Sequence, residues 1–166
     1  PPVDTMDYMI GLNASSLLPD GGTLQVGIGA LGDAITYGCI LRQERNQQYK
    51  DALAELGIED RYGDIIAQVG GTEPFEKGLY GSTEMFADGF RHLYKHGILK
   101  RAVYDDAPLQ RLLNADKVSS NVTPETLETL VEEGLGFVRL DGGGVTVGSA
   151  TWNHDGQRLI LGLCRE

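Results

Sequence analysis

Apolar and polar positions along the first sixty residues alternate in a way that predicts short helical and extended segments. Apolar side chains recur at roughly helical spacing over residues 5–18, and turn residues then end this predicted first helix. Residues 23–28 are apolar, short and bounded by glycines, as in a buried parallel strand. A long helical pattern over residues 33–56 follows, with the polar string "RQERNQQ" inside it and Gly57 as its predicted C-terminal stop.

The middle of the chain continues this alternation. The apolar run 64–71 ends in paired glycines and predicts a strand or an irregular return, and a helix is predicted after it. The side chains of that helical segment expected to face a core are Met85, Phe86, Leu93 and Ile98. Gly97 ends the helix, and residues 99–104 predict a return strand. The order of elements predicts an α/β fold: an open, mainly parallel sheet with flanking helices.

The last third of the chain changes character. Residues 105–115 predict a short helix. A second helix is predicted between Thr123 at the N-cap, with Pro124 at the first helical position, and Gly134 at the C-terminal cap. Three short β-rich runs follow, divided by glycines and by a predicted hairpin turn over residues 153–156. We therefore expect a small β-rich C-terminal segment.

The predicted organisation is an α/β domain over residues 1–115 and a helix plus β-hairpin segment over residues 116–166. A chain of 166 residues is about the size of one domain and short for a two-domain enzyme. It begins "PPVDTMDY", without an initiator Met, a basic region or an apolar stretch typical of a signal peptide. We expect a piece of a longer protein without a secretory signal.

Composition narrows the classes of partner and the compartment. Twenty-four acidic and fourteen basic residues give a formal charge of −10, which repels nucleic acid and anionic lipid. No apolar run approaches the roughly eighteen residues of a membrane span, so we expect a soluble, cytoplasmic protein with no nucleic-acid or membrane partner. Cys39 and Cys164 each lie in an apolar stretch, which favours buried free thiols and builds no metal motif.

Gly27, Gly29 and Gly32 spell G-x-G-x-x-G after the predicted strand, the pattern of a dinucleotide-binding turn. That interpretation needs a ribose-binding acid about 20 residues later, at the end of a second strand. Asp51 in the corresponding region is a polar position of the long helical pattern, and Asp33 lies where the pyrophosphate should approach. The glycines therefore form either a tight strand-to-helix turn or a loop suited to another ligand.

Glu84 is the second candidate for chemistry. Ser82 and Thr83 are natural helix caps, which would place Glu84 in a first helical turn. A carboxylate there either only stabilises its helix or is presented as a nucleophile at the end of a strand or loop.

Taken together, "DGGTLQVGIGALGDAI" and "GLYGSTEMFADGFRHLYKHGILK" resemble the acetyl-CoA hydrolase/transferase family. These are the acyl-CoA:carboxylate CoA-transferases, which include 4-hydroxybutyrate and succinyl-CoA:acetate CoA-transferases. The family's D-G-x-T-L-Q-x-G-I-G-x-x-x-D-A and [ST]-E-[MV]-x-x-D-G motifs both occur, in that order. The resemblance covers residues 3–115.

The resemblance implies that Glu84 is the catalytic nucleophile and that coenzyme A is a substrate, with no metal and no bound cofactor. Glu84 would attack an acyl-CoA thioester, form an acyl-glutamyl anhydride and then a glutamyl-CoA thioester, which a small carboxylate or water resolves. We expect backbone groups of Gly27, Gly29, Ala30 and Gly32 to line the substrate site. The choice between hydrolase and transferase stays open, and the expected partners are the remainder of the same enzyme and, in one arrangement, a second copy in a homodimer.

The chain also departs from the family pattern. Its later glycine-rich motif, G-x-G-G-x-x-x-F, is absent, and the consecutive glycines 142–144 do not replace it. The alternative is therefore a non-catalytic CoA-binding or assembly domain that acts only with its missing half.

Other polar residues are expected to have simpler roles. His92 and His96 have the spacing of paired zinc ligands, but the Glu of H-E-x-x-H is missing and a solvated helix end is the preferred interpretation. Lys95, Lys100 and Arg101 form a basic cluster that either complements a helix dipole or meets CoA phosphates.

Overall fold

A computed structural model describes residues 2–83, 85–119 and 123–135, together with the strand segments 138–141, 144–147, 150–152 and 162–163. The chain divides into two compact units. Unit 1 is Pro1–Ala102 and unit 2 is Val103–Glu166.

Unit 1 is mostly helical and contains a small parallel sheet. Its elements, in chain order, are α1 (Thr5–Ser16), β1 (Thr23–Gln25), α2 (Ala30–Glu44), α3 (Asn46–Glu55), α4 (Ile58–Val69), β2 (Tyr80–Ser82) and α5 (Asp88–Lys95). The predicted first helix and first strand are confirmed at these shorter bounds. The parallel sheet of unit 1 has two described strands, whereas the alternation of elements predicts a larger open sheet.

β1 and β2 pair in parallel, with Thr23 opposite Tyr80 and Gln25 opposite Ser82. A single parallel bridge joins Leu79 to Leu99. The return strand predicted over residues 99–104 is reduced to this bridge. The buried side chains around the sheet are Leu24, Val26, Cys39, Phe75, Leu79, Phe90, Leu93 and Ile98. Burial of each large apolar side chain contributes about 1.5–3 kcal/mol, so this cluster holds β1 and β2 against α2 and α5.

α1 and α2 pack backbone to backbone because small residues line their contact. A Cβ added to Gly11 would lie 2.5 Å from the carbonyl carbon of Ala34, and one added to Gly38 would lie 2.9 Å from the carbonyl oxygen of Gly11. Any side chain at either glycine would push the two helices apart.

Arg42 on α2 is a buried structural residue, although it belongs to the polar segment "RQERNQQ". Its guanidinium donates to three backbone carbonyls: Glu73 at 2.6 Å, Ser15 at 3.0 Å and Leu18 at 2.7 Å. It also lies 4.0 Å from the centre of the Phe75 ring. Burial lowers the pKa of Arg42 from its usual value. The side chain thereby ties the end of α1 to the loop that precedes β2.

The long helical pattern over residues 33–56 is broken into two helices. Arg45, with φ −133° and ψ 54°, leaves helical geometry between α2 and α3. Gly57 adopts a left-handed φ of 62° and its amide donates to the carbonyl of Ala54, which confirms the predicted stop.

The strand or irregular return predicted over residues 64–71 is wrong, because α4 occupies Ile58–Val69. Ile58 and Ile66 are buried on one face of this helix, and Glu59 in its first turn complements the helix dipole. Residues 64–71 alone are too few to show the spacing of apolar residues typical of a helix. The spacing is recognisable only when residues 58–62 are included.

Two of the four side chains expected in the core of the next segment are not there. Leu93 and Ile98 are fully buried, as predicted, whereas Met85 and Phe86 are 63% and 76% exposed. The helix they were expected to join begins only at Asp88, so both lie in the preceding loop. Gly97 ends the helix with a φ of 66°, as predicted.

Unit 2 contains two capped helices and an antiparallel sheet. They are α6 (Ala107–Asn114), α7 (Pro124–Glu132), β3 (Val138–Asp141), β4 (Gly144–Val147), β5 (Ala150–Trp152) and β6 (Gly162–Leu163), with each strand paired to the next. The Thr123 hydroxyl accepts from the Thr126 amide at 3.2 Å, and Gly134 has a φ of 71°, so both predicted caps are confirmed. The predicted hairpin turn at residues 153–156 and Cys164 lie outside the described residues.

α6 packs within unit 2, where Leu109 and Leu112 share a buried cluster with Val118 and Leu130. The two units therefore divide before α6, whereas the predicted boundary after residue 115 lies on the C-terminal side of this helix. Among the helices that the structure describes, none is long and apolar enough to cross a lipid bilayer.

Candidate functional site

The parallel pairing of β1 and β2 brings two distant loops to the same edge of the sheet. Strand β1 ends at Gln25 and strand β2 at Ser82, and these two residues are paired. The segments that follow them therefore leave the sheet together at its carboxyl edge, where ligands bind in open α/β sheets.

A groove of about 350 Å³ lies at this edge. Its lining residues come from both loops: Gln25, Val26, Gly27, Ile28, Thr83 and Met85. The hydroxyl of Thr83 donates to the backbone carbonyl of Met85 within the second loop. We call this space the β1–β2 groove.

Glu84 lies outside the described residues, between two residues that line the groove. The predicted helix start at Ser82 and Thr83 is wrong, since Ser82 ends β2 and α5 begins at Asp88. The described residues between β2 and α5, 83 and 85–87, are therefore not helical. A nearby glycine explains how strand and helix pack closely, because a Cβ on Gly81 would lie 2.5 Å from the ring of Phe90.

The glycines of the first loop have different physical roles. A Cβ at Gly32 would lie 2.3 Å from the carbonyl oxygen of Gly27, so Gly32 permits the close turn from β1 into α2. Gly27 and Gly29 face open space, and Gly29 has a φ of 134° that only glycine adopts readily. Of the predicted substrate-binding residues, Gly27 lines the groove, while Gly29, Ala30 and Gly32 form the start of α2.

Two helices begin beside the β1–β2 groove without a side-chain cap. Gly29 is the N-cap of α2 and Ala87 that of α5, and neither provides a capping hydrogen bond. Helix α2 starts at Ala30, three residues before the predicted start of the helical pattern at residue 33. Free amides at helix N-termini attract anions, so the polypeptide itself supplies positive potential at this edge.

Acidic residues stand in the first turns of both helices. Asp33 occupies that position in α2 and Asp88 in α5. The Asp88 carboxylate lies 3.7 Å from the guanidinium of Arg91 in an exposed ion pair, which contributes little to stability. Asp33 and Asp88 thus add negative charge near the same edge.

Thr36 lies beneath the start of α5 and was not singled out from the sequence. Its side chain is buried, and its hydroxyl has no hydrogen-bond partner among the residues that the structure describes. A Cβ on Gly89 would lie 2.6 Å from that oxygen, so α2 and α5 touch here. No sequence signal marks this contact, because it depends on how the two helices cross.

Two other candidate residues, His96 and Lys100, have structural contacts. His96 Nδ1 contacts the carboxylate of Glu44, and the side chain of Lys100 packs on Gly78, which precedes β2. In the ranges that the structure describes, no three His, Cys, Asp or Glu side chains form a metal-binding group. Cys39 is buried, and burial raises the pKa of its thiol to about 12, so it is unreactive in the folded protein.

Five groove-lining residues had not been predicted as site residues: Gln25, Val26, Ile28, Thr83 and Met85. All five lie inside or directly beside the two sequence motifs, which is the signal that could have found them. Comparison of the chain with protein-family models, curated proteins and solved structures finds no match.

Proposed function

We propose that this chain carries the nucleophile of an acyl-CoA hydrolase or CoA-transferase, with Glu84 as the attacking carboxylate. The observation that carries the proposal is the meeting of the two motif segments in the β1–β2 groove. Residues 25–28 come from the first motif, and Thr83 and Met85 flank Glu84 in the second. Segments that share no sequence neighbourhood thus line one space, as the parts of an active site do.

The proposed chemistry uses the Glu84 carboxylate as a nucleophile. A Glu84 oxygen attacks the thioester carbonyl, the carbon–sulfur bond breaks, and CoA leaves as its thiolate with acyl-glutamyl anhydride formed. The thiolate then attacks the glutamyl carbonyl and releases the acyl group as a carboxylate, which leaves a glutamyl-CoA thioester. A carboxylate is a weak nucleophile, so rate must come from positioning and from stabilisation of each oxyanion.

The uncapped starts of α2 and α5 support this proposal electrostatically. Coenzyme A is a polyanion, and a chain of formal charge −10 repels it at long range. Local donors are therefore needed, and backbone amides beside Gly29 and Ala87 are described groups of the right polarity. A single well-placed oxyanion donor is worth about 10²–10³ in rate, which is the size of effect that the proposal asks of these amides.

A second candidate function is favoured by exposed apolar side chains beside the groove. Ile28 is 72% exposed and Phe86 is 76% exposed, in the two loops that form the site. Such side chains are typical of a surface that another segment covers. The alternative is thus an assembly domain whose site is complete only with the remainder of the enzyme.

Covalent trapping tests the proposal. The full chain is incubated with acetyl-CoA and then borohydride, which reduces a glutamyl-CoA thioester, and the product is mapped by peptide mass spectrometry. We expect modification at Glu84 that Glu84→Gln abolishes. Glu59→Gln is the matched control, because Glu59 is an exposed glutamate in the first turn of α4.

The outcomes separate the two candidates. Modification that persists in Glu84→Gln, or its absence with the complete enzyme, contradicts the nucleophile. Modification that needs the remaining half of the enzyme supports the assembly domain.

A further inference from the structure

A second groove, of about 410 Å³, separates helices α1 and α4 on the surface of unit 1. Four of the apolar side chains that line it are also exposed, namely Ile10, Leu17, Tyr62 and Ile65. On α1, Met6 is exposed one turn before Ile10 and extends the same apolar stripe. Clustered exposed apolar side chains of this kind mark a surface that another molecule covers.

The apolar stripe of α4 is only partly covered by its own unit. Ile58 and Ile66 are buried, whereas Tyr62, Ile65 and Val69 are each about half exposed on the same side of the helix. Helix α4 therefore has more apolar surface than the core of unit 1 uses.

Two unpaired charges of opposite sign lie at the edge of this surface. Among the described residues that line the groove, Arg61 alone is charged, and neither it nor Asp64 forms an ion pair with any residue that the structure describes. Both side chains are exposed. Asp88 and Arg91 of α5 do pair at the same spacing, at 3.7 Å, but there the acid comes first, which is the more favourable order within a helix.

We call this surface the α1–α4 face. Its exposed apolar residues are Met6, Ile10, Leu17, Tyr62, Ile65 and Val69, and its edge carries Arg61 and Asp64. It shares no lining residue with the β1–β2 groove, so an inference about it does not depend on the proposed function.

We propose that a second copy of this chain covers the α1–α4 face in a two-fold contact, in which Arg61 of each copy pairs with Asp64 of the other. A two-fold interface requires a surface that is complementary to itself. The α1–α4 face meets this requirement, because it combines an apolar surface with one unpaired charge of each sign. An antiparallel approach of the two α4 helices, symmetric about residues 62 and 63, forms both ion pairs at once.

Other charges near the face limit how tightly two copies associate. Glu59 and Asp60 lie in the first turn of α4, where they complement the helix dipole, and they do not line the groove. Each copy has a formal charge of −10, so the copies repel at long range and salt screens this repulsion. Apolar burial supplies the attraction, and the two ion pairs fix the register.

Sedimentation equilibrium with charge-reversal variants tests the proposal. We expect the full chain to form a reversible dimer between about 1 and 100 μM. Arg61→Asp sets Asp against Asp64 of the partner, and Asp64→Arg sets Arg against Arg61, so each should raise the dissociation constant at least about tenfold. The double variant restores opposite charges and should return to within about threefold of the parent. Arg45→Asp, an exposed change of equal charge outside the groove, is the control.

NMR of ¹³C-methyl methionine locates the contact without any substitution on the face. Met6 and Met9 lie on α1, where Met9 lines the groove, while Met85 lines the β1–β2 groove. We expect the Met6 and Met9 signals to shift with protein concentration and the Met85 signal to stay unchanged.

Each outcome supports or overturns the proposal. A chain that stays monomeric at about 100 μM, as expected if a different protein or a small ligand occupies the face, overturns it. So does a dimer that Arg61→Asp weakens no more than Arg45→Asp, or one that shifts Met85 instead of Met6 and Met9. Weakened single variants without recovery in the double variant overturn the reciprocal ion pair. Circular dichroism checks the fold of each variant, and Asp64→Arg tests the same pair if Arg61→Asp does not fold.

Discussion

Removal of the Arg42 guanidinium should lower the free energy of unfolding of unit 1 by more than the loss of any other buried polar side chain described there. Arg42 is 1% exposed and donates to the carbonyls of Glu73, Ser15 and Leu18. Arg42→Met keeps an unbranched, largely apolar stem, is shorter by the guanidinium group and removes every donor. The carbonyl of Ser15 then stays buried without this partner, those of Glu73 and Leu18 stay partly buried without it, and the contact with the Phe75 ring loses its cation.

The magnitude follows from these contacts. A hydrogen bond to a charged group contributes about 1.5–3 kcal/mol, so the three together contribute roughly 5–9 kcal/mol before relaxation. The buried charge itself costs several kcal/mol, which the variant recovers. We therefore expect a net loss of about 3–4 kcal/mol in the free energy of unfolding. Arg42→Lys keeps a charge but not the planar fork, and should fall between the two proteins.

Thiol labelling of Cys39 measures this loss within unit 1. A Cys164→Ser background leaves Cys39 as the single thiol, and its burial and raised pKa of about 12 prevent reaction until the unit opens. In the regime where opening is a rapid equilibrium, we expect Arg42→Met to raise the labelling rate roughly 10²- to 10³-fold. Arg45→Met, an exposed arginine of equal charge, should change it little. A rate within threefold of the parent for Arg42→Met would refute the assigned role of the guanidinium.

Three further predictions test the turn, a carboxylate and a cap. Gly32→Ala should destabilise unit 1 by about 1–3 kcal/mol in urea unfolding, while Gly27→Ala should be nearly neutral, because only the first added Cβ meets backbone, at 2.3 Å. Asp20 accepts from two loop amides, at 2.8 and 2.9 Å; burial raises its pKa, but these bonds outweigh it and the pKa lies below the usual value. Asp20→Asn should therefore cost about 1 kcal/mol at pH 7, and the difference should vanish as pH falls through the lowered pKa of the Asp20 carboxyl. Thr123→Ala should cost α7 about 1 kcal/mol by circular dichroism, with Thr123→Ser close to the parent.

Local signals in the sequence located much of the secondary structure. Helix punctuation depends on a few adjacent residues, which is why Gly57, Gly97 and Gly134 end helices where predicted and why Thr123 caps α7. The two motifs also bracketed the groove, because they lie at the ends of β1 and β2. Glu84 as nucleophile and the backbone roles of Gly27, Gly29, Ala30 and Gly32 stay predictions.

Tertiary packing decided what depends on contacts between distant residues. The apolar run 64–71 is compatible with strand or helix by itself, and burial of Ile58 and Ile66 on one face selects the helix. Arg42 stands in a polar string and looks like a solvated helix position, yet carbonyls from two other segments surround it.

The groove shows the same division. Sequence alone determined which residues follow each strand, because that order is covalent. Only the parallel pairing of β1 with β2 decided that Gln25 and Thr83 share one space, since strand partners are chosen by burial and hydrogen bonding rather than by sequence distance.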